Sequence, residues 1–234
     1  MKKMIIASTS TVHGSGYLAY ILPRLKDFFK DVKQLLFIPY ARPSGITYDE
    51  YTVKASAAFS KIDIEVKGLH EFKNPKTALQ KSEAIFTGGG NTFELVNQLY
   101  TNDCMSDLKE VIEKGVPYLG TSAGSNICGV TMMNTNDMPI VYPPNFKTLG
   151  SIPFNINAHY LDPIEGSTHM GETRETRIKE YHVFNTTTVL GLREGSWLEV
   201  HGDSIVLKGI HSARVFMQNK TPYEIESGSV ASLK

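Results

Sequence analysis

The sequence predicts an α/β protein whose mainly parallel sheet is covered by helices on both faces. Through the first half of the chain, short apolar segments alternate with segments in which apolar residues recur every three or four positions. Glycine-rich turns follow two of the apolar segments, at 88–90 and 120–124. Alternation of this kind, with short connections, is typical of parallel strands joined by crossover helices.

Each predicted strand of the first half is an apolar run that ends near a turn residue, as the run 34–38 ends at Pro39. These strands are predicted at 4–8, 34–38, 62–66, 83–87 and 117–121. Helices are predicted where the apolar period is helical, and Gly115 gives a stop signal after 105–114. These helices are predicted at 17–30, 48–59, 92–100, 105–114 and from 122 onward.

Beyond Gly129 the pattern changes, because prolines break the chain into loops. A strand-like segment at 154–156 and a helix-compatible segment at 171–181 interrupt these loops. Short strands separated by turn residues then follow at 188–192, 197–201, 204–208 and 213–217. Their close spacing predicts antiparallel hairpins that extend the same sheet. Since no repeat, low-complexity tract or linker divides the sequence, we expect one domain over residues 1–234.

The composition is that of an ordinary globular chain. Of 234 residues, 41% are hydrophobic, and 24 basic residues balance 24 acidic ones, so disordered and fibrous classes are excluded. The zero net charge argues against binding of nucleic acid or of a membrane surface. Cys104 and Cys128 have no metal-type spacing and predict reduced, buried thiols. With no apolar run long enough for a signal peptide or a membrane span, we expect a cytoplasmic protein.

The strongest chemical signal is the G-x-S-x-G pattern at 120–124, which lies where an apolar strand ends and a helix begins. In that context the flanking glycines allow a sharp turn that exposes the hydroxyl of Ser122 as a nucleophile. The N–H of Ala123 is then placed to stabilise an oxyanion. The alternative is a helix that packs closely on its sheet, with Ser122 as an ordinary N-cap.

A second glycine loop, at 88–90, also stands between a strand and a helix. It lacks both the lysine of a P-loop and the spacing of a dinucleotide-binding loop. Loops at the carboxyl ends of parallel strands share one crevice, so we expect Gly89 and Gly90 to form a second wall of the oxyanion hole. A plain turn is the alternative.

A serine nucleophile needs a base, and His159 is the best placed of the seven histidines because it follows the strand-like segment 154–156. Two carboxylates are candidates for orienting it. Glu194 comes just after the predicted strand 188–192, where crevice residues belong, whereas Asp137 lies in a loop that suits substrate binding. We favour Glu194 and leave Asp137 open. No cluster supplies metal ligands at suitable spacing.

Together these segments resemble the peptidase E family of serine α-aspartyl dipeptidases, nearly from end to end. The matching segments are GGGNTF at 88–93, GTSAGS at 120–125, TNDMPI at 135–140, NAHY at 157–160, GETRE at 171–175 and EG at 194–195. The resemblance implies a flavodoxin-like α/β fold akin to class I glutamine amidotransferases, with serine in place of cysteine. It also implies hydrolysis of dipeptides with an N-terminal aspartate, without metal or cofactor. Thr121 and Ala158 depart from the tryptophan and the proline expected at those positions.

The motif match makes Ser122 the nucleophile and His159 the base, with Asp137 or Glu194 as the third member. Arg174 lies in the matching GETRE segment, and Arg177, three residues on, shares its helix face. Guanidinium groups over a crevice suit bidentate recognition of the substrate carboxylate. A solvated face of ion pairs with neighbouring glutamates is the alternative for Arg177. Arg193, next to Glu194, is a further candidate.

We therefore expect a serine dipeptidase that releases N-terminal aspartate from short peptides, its partner being the peptide substrate. One alternative is a peptidase like cyanophycinase that acts on β-linked aspartyl polymers with the same fold and triad. A second is a non-catalytic flavodoxin-like module that binds a small acidic ligand at 88–90. The sequence leaves a homodimer open.

Overall fold

The computed structural model describes residues 1–163, 166, 168, 170–229 and 233 of the chain. Its strands are β1 Lys3–Ala7, β2 Gln34–Ile38, β3 Glu65–Gly68, β4 Ile85–Thr87, β5 Tyr118–Thr121, β6 Asn155–Ala158, β7 Val189–Leu192, β8 Ser196–His201, β9 Ser204–Gly209, β10 Ala213–Phe216, β11 Tyr223–Ile225 and β12 Gly228–Ser229. Its helices are α1 Leu22–Phe28, α2 Tyr48–Phe59, α3 Pro75–Gln80, α4 Thr92–Thr101, α5 Met105–Lys114, α6 Ala123–Asn126 and α7 Arg174–Phe184. Among the described residues, no helix is long and apolar enough to cross a membrane.

An eight-stranded sheet has the order β12-β9-β8-β1-β5-β4-β2-β3. The five strands from β1 to β3 in this order pair in parallel, whereas β8, β9 and β12 run antiparallel. The predicted α/β class with antiparallel C-terminal strands is therefore confirmed. Because β5 lies between β1 and β4, the chain segments that leave the carboxyl ends of these three strands meet at one edge.

The hairpins, predicted as an extension of this sheet, divide between two sheets. β8 and β9 do extend the main sheet, but β7 and β10 form a second sheet of order β11-β10-β7-β6. In it, β7 pairs in parallel with β6, so the ends of these two strands lie side by side. The chain passes from the second sheet to the first through the turn at Gly195, whose φ is +84°. Such a switch has no signal in strand periodicity.

Alternate residues of β1 face opposite sides of the main sheet and enter different apolar clusters. Met4 and Ile6 pack with the side chains of α4 and α5, whereas Ile5 and Ala7 pack with those of α1 and α2. All four side chains are fully buried. Helices therefore cover both faces of the sheet, as predicted.

Several helices differ from the prediction: α6 is only four residues long, α7 spans Arg174–Phe184 where 171–181 was predicted, and α1 and α3 differ more. The helix predicted over 17–30 is α1, which begins only at Leu22, because Leu18 has a φ of +57° and interrupts regular helix before it. Helix α3 went unpredicted, although Asn74 caps it through a side-chain hydrogen bond to the N–H of Thr77 and Pro75 opens it. It is only six residues long, too short to show a periodic apolar pattern.

Candidate active site

Ser122 occupies a strained turn between β5 and α6, with φ of 53° and ψ of −112°. This is an unfavourable conformation for a residue with a side chain, and it is held by hydrogen bonds on both sides of the turn. The N–H of Ser122 donates to the carbonyl of Ala7 at 3.2 Å, and the N–H of Asn126 donates to the carbonyl of Ser122 at 2.9 Å. Strand, sharp turn and helix together give the geometry of a nucleophile elbow.

The two glycines of the G-x-S-x-G pattern are required by close backbone packing. A Cβ atom added to Gly120 would lie 2.4 Å from the carbonyl oxygen of Gly124. One added to Gly124 would lie 2.2 Å from the carbonyl oxygen of Thr87, on the neighbouring strand β4. Any larger residue would push α6 away from the sheet and displace Ser122.

The glycine loop after β4 lies directly against Ser122. A Cβ atom on Gly89 would lie 2.9 Å from Cβ and 3.4 Å from Oγ of Ser122. The carbonyl of Gly89 accepts a hydrogen bond from the hydroxyl of Tyr51 at 3.1 Å, so the trans peptide directs the N–H of Gly90 the opposite way. The N–H of Ala123, at the first position of α6, has no partner within its helix. Of these two N–H groups, that of Ala123 directly follows Ser122, and that of Gly90 belongs to the peptide that follows Gly89.

His159 and Glu194 form a close pair at the ends of adjacent strands. Ala158 and Leu192 pair in register between β6 and β7, so the residues that follow them share an edge. Nδ1 of His159 lies 2.6 Å from Oε1 of Glu194, and both side chains are partly exposed. If Nδ1 carries the imidazole proton and donates a hydrogen bond to the carboxylate, Nε2 is unprotonated and can accept a proton. His159 itself has a φ of +55°.

Ser8 and Asn126 connect His159 to Ser122 across the two sheets. The hydroxyl of Ser8, which follows Ala7 at the end of β1, accepts from the N–H of His159 at 3.0 Å. The side-chain oxygen of Asn126 accepts from the N–H of Ala158 at 3.2 Å. Because Ala7 and Asn126 also hydrogen-bond to the backbone of Ser122, His159 is anchored to the same segments as Ser122. No sequence motif marked Ser8 or Asn126, of which the first follows the end of β1 and the second is the last residue of α6.

Asp137 is joined to a helix terminus and not to His159. Its Oδ2 accepts from the N–H of Thr92, at the start of α4, at 2.7 Å, and from the hydroxyl of Thr135 at 3.1 Å. A carboxylate at a helix N-terminus is stabilised by the free N–H groups there. Of the two acidic candidates, the geometry thus pairs Glu194 with the histidine.

The three candidate arginines have different surroundings. Partial burial lowers the pKa of Arg174 and the neighbouring Arg177 lowers it further, while Asp137 acts in the opposite direction. Arg174 is the first residue of α7, whose start is capped by the side chain of Thr173. Arg177 is half-exposed, and its Nε is 3.9 Å from Glu172, a distance at which an exposed pair contributes little.

Arg193 has its donors engaged by the protein itself. Its guanidinium makes paired hydrogen bonds of 2.7 to 3.0 Å to Asp162 and Glu224, and a further one of 2.8 Å to the carbonyl of Ser212. Its Cζ also lies 5.5 Å from the ring centroid of Tyr160. These contacts fix the turn that carries Glu194, and they leave Arg193 little capacity for a ligand.

The sequence profile of peptidase family S51 matches residues 4–208. The chain belongs to peptidase family S51. It is 45% identical over 226 residues to peptidase E of Streptomyces coelicolor, an alignment that covers 97% of this chain and 92% of that protein. It is 42% identical over 218 residues to a probable alpha-aspartyl dipeptidase of Drosophila melanogaster, covering 92% and 90% of the two chains.

Solved structures agree with the fold. A putative peptidase E from Listeria monocytogenes superposes with a TM-score of 0.69 at 21% identity, covering 90% of this chain and all of that one. A peptidase from an acI-B1 actinobacterium superposes with a TM-score of 0.72 at 15% identity, covering 98% and 97%. The resemblance to the peptidase E family is thus confirmed, and this S51 protein is a serine-type peptidase.

Proposed function

We propose that this S51 peptidase hydrolyses dipeptides with an N-terminal aspartate, through Ser122 as nucleophile, His159 as base and Glu194 as the residue that orients the base. The observation that carries this assignment is the 2.6 Å contact between His159 and Glu194, anchored through Ser8 beside the strained turn of Ser122. The name of the Drosophila relative supports the aspartyl specificity.

In the first half of the reaction, Oγ of Ser122 attacks the carbonyl carbon of the aspartyl residue while Nε2 of His159 takes its proton. The N–H groups of Gly90 and Ala123, together with the amide of Gly89, stabilise the oxyanion. His159 then gives the proton to the departing amine, and an aspartyl ester of Ser122 remains. In the second half, water attacks the ester while His159 takes its proton, and His159 returns that proton to Oγ of Ser122 as the acyl bond breaks and aspartate leaves. Glu194 stabilises the imidazolium in both halves.

The substrate aspartate brings a carboxylate and an α-ammonium group into the crevice. We assign its carboxylate to Arg174, because an unpaired charge in a water-excluding site is costly. We assign the α-ammonium group to Asp137, whose negative charge would attract it. Arg177 stays a second candidate for the substrate carboxylate, and Arg193 supports the turn that carries Glu194.

The composition supports a small peptide as the partner, and not nucleic acid or a membrane, because acidic and basic residues balance. The burial of both free cysteines supports a reducing compartment, the cytoplasm. We also propose that residues 1–234 act as one domain.

The test is a panel of X-Leu dipeptides, assayed with the native protein and with Ser122→Ala. We expect Asp-Leu to be the best substrate, and we expect the substitution to lower kcat by about 10⁴- to 10⁶-fold while leaving the fold intact. Near-normal turnover by the variant would rule out the serine mechanism. If the native protein cleaved the β-linked isomer of Asp-Leu faster than Asp-Leu itself, the result would indicate a β-aspartyl peptidase like cyanophycinase instead.

A further inference from the structure

Arg42 lies in the loop after β2, and this loop packs against the glycine loop after β4. The carbonyl oxygen of Ala41 accepts a hydrogen bond from the N–H of Asn91 at 2.8 Å. A Cβ atom added to Gly90 would come within 2.1 Å of the same oxygen. Arg42 is therefore attached to the backbone that adjoins Gly90, one residue from the glycine that contacts Ser122.

The guanidinium of Arg42 is held by an aromatic ring. Its Cζ lies 5.0 Å from the ring centroid of Tyr51, whose hydroxyl donates to the carbonyl of Gly89 at 3.1 Å. Its Nε is buried and has no hydrogen-bond partner in the described part of the chain. No ion pair between described residues includes Arg42. Stacking fixes the guanidinium plane while leaving its charge and its N–H donors for a ligand.

A second cation, Lys54 of α2, lies against the same group of aromatic rings as Arg42. The rings of Tyr17 and Tyr51 meet edge to face, with 6.3 Å between their centroids. The Nζ atom of Lys54 lies 4.9 Å from the ring centroid of Tyr17. Tyr17, in the segment after β1, and Arg42, in the loop after β2, therefore contact the same ring, that of Tyr51.

Two carboxylates line a cavity of about 510 Å³ beside Arg42, and both accept hydrogen bonds from other residues. Glu50 accepts from the N–H and the hydroxyl of Thr47 at 2.7 and 3.0 Å. Glu94 accepts from the side-chain amide of Gln98 at 2.8 Å. Neither forms an ion pair with Arg42, so its charge is not neutralised by direct contact.

Arg42 and Arg174 belong to different elements of the fold. Arg42 follows β2 and stacks on Tyr51, whose hydroxyl donates to the carbonyl of Gly89. Arg174 is the first residue of α7, which follows the segment that carries His159. The two cations thus come from separate segments. An aspartyl dipeptide likewise has two carboxylates, one on the aspartate side chain and one at its C-terminus, on opposite sides of the scissile bond.

We propose that Arg42 binds the C-terminal carboxylate of the leaving residue, which makes the enzyme selective for dipeptides with a free C-terminus. The proposal rests on the proposed function, because it assumes that Arg174 takes the aspartate side chain. Sequence reasoning gave no sign of this role, since Arg42 lies outside every motif.

The test compares Asp-Leu with its C-terminal amide, Asp-Leu-NH₂, which has the same scissile bond but lacks the second carboxylate. With the native enzyme, we expect kcat/KM to be about 10- to 100-fold higher for the free acid, the range of a charge-assisted hydrogen bond. Arg42→Met should remove this preference and leave the amide rate within about threefold. Arg42→Lys, which keeps the charge but loses the fork geometry, should retain part of the preference. Equal losses on both substrates, or an unchanged preference, would overturn the proposal.

A binding measurement separates this inference from the proposed function. Calorimetric titration of Ser122→Ala with Asp-Leu and Asp-Leu-NH₂, with and without Arg42→Met, reports the carboxylate contact without turnover. A preference for the free acid that disappears with Arg42→Met supports the contact even if the native enzyme cleaves neither peptide, in which case the proposed function alone fails. Equal affinity for the two peptides in Ser122→Ala overturns the Arg42 assignment whatever the activity.

Discussion

The hydroxyl of Ser8 accepts a hydrogen bond from the backbone N–H of His159 at 3.0 Å. The same hydroxyl donates to the carbonyl of Leu192 at 2.7 Å, two residues before Glu194. One fully buried side chain thus ties together the ends of the two strands that carry the histidine and its carboxylate. Because His159 has a left-handed backbone that is unfavourable for a histidine, this contact helps to hold its ring in place.

Ser8→Ala should lower kcat by about 10- to 100-fold with little change in KM, because the base is displaced while substrate contacts remain. The control is Ser196→Ala. Ser196 is equally buried, and its hydroxyl also makes two backbone hydrogen bonds, both to His211. Each variant should lose about 1–3 kcal/mol of unfolding free energy in urea. If both variants lost kcat to the same extent, the effect of Ser8 would be one of stability and not of position.

Exchange of each acidic candidate for its amide should separate their roles. Glu194→Gln removes the charge that stabilises the imidazolium, and we expect kcat to fall by about 10³- to 10⁴-fold. Asp137→Asn keeps an oxygen that accepts from the N–H of Thr92, so its main effect should be on KM for Asp-Leu. Steady-state kinetics of the two variants decide the matter. If kcat fell this far in Asp137→Asn and not in Glu194→Gln, Asp137 and not Glu194 would be the residue that orients His159.

Gly89→Ala should inactivate the enzyme with little loss of folding. The added methyl group would lie 2.9 Å from Cβ of Ser122, closer than a Cβ atom packs against another carbon, so Ser122 or the glycine loop must move. We expect kcat to fall by at least about 10²-fold. Gly16→Ala is the matched control, since its methyl group would meet only Cβ of Ala19, at 3.8 Å. Retained activity in Gly89→Ala, or an equal loss in Gly16→Ala, would contradict this account of the loop.

The local elements were predictable where capping and periodicity agree. Helix α2 has the predicted bounds 48–59, and a capping box between Thr47 and Glu50 reinforces its start. The first helix was predicted too long, because its apolar pattern continues through Leu18, where tertiary packing imposes a left-handed turn. Periodicity reports which residues are buried, and not whether the backbone between them is regular.

The site was predictable only in part, for a similar reason. Glycine spacing indicated Ser122, because local backbone geometry requires those glycines. The pairing of His159 with Glu194 depends on the parallel register of β6 and β7, which belong to a second sheet that the sequence did not reveal. Ser8 and Arg42 belong to no motif, since their roles come from contacts between segments that are distant in sequence.

The last prediction concerns acid stability of the second sheet. Hydrogen bonds from Arg193, and then from Ser212 and Arg214, lower the pKa of Glu224 from its ordinary value near 4.5 to about 2. The hydrogen bonds of Arg193 likewise lower the pKa of Asp162. A carboxyl group with a lower pKa in the folded state stabilises the protein above its unfolded pKa, and this contribution is lost as the pH falls toward the folded pKa.

Glu224→Gln should therefore cost unfolding free energy at neutral pH, and the difference from the native protein should stay constant down to about pH 5. Between about pH 4.5 and 2 the difference should shrink, because the native Glu224 becomes protonated and loses its ionic partner. Urea unfolding at a series of pH values measures this dependence, with Glu113→Gln as the control, since Glu113 joins none of the ion pairs between described residues. Arg193 fixes the turn before Glu194, so Glu224→Gln should also lower kcat modestly, by about 2- to 10-fold. A difference in unfolding free energy that did not change with pH would mean that Glu224 acts through packing and not through its charge.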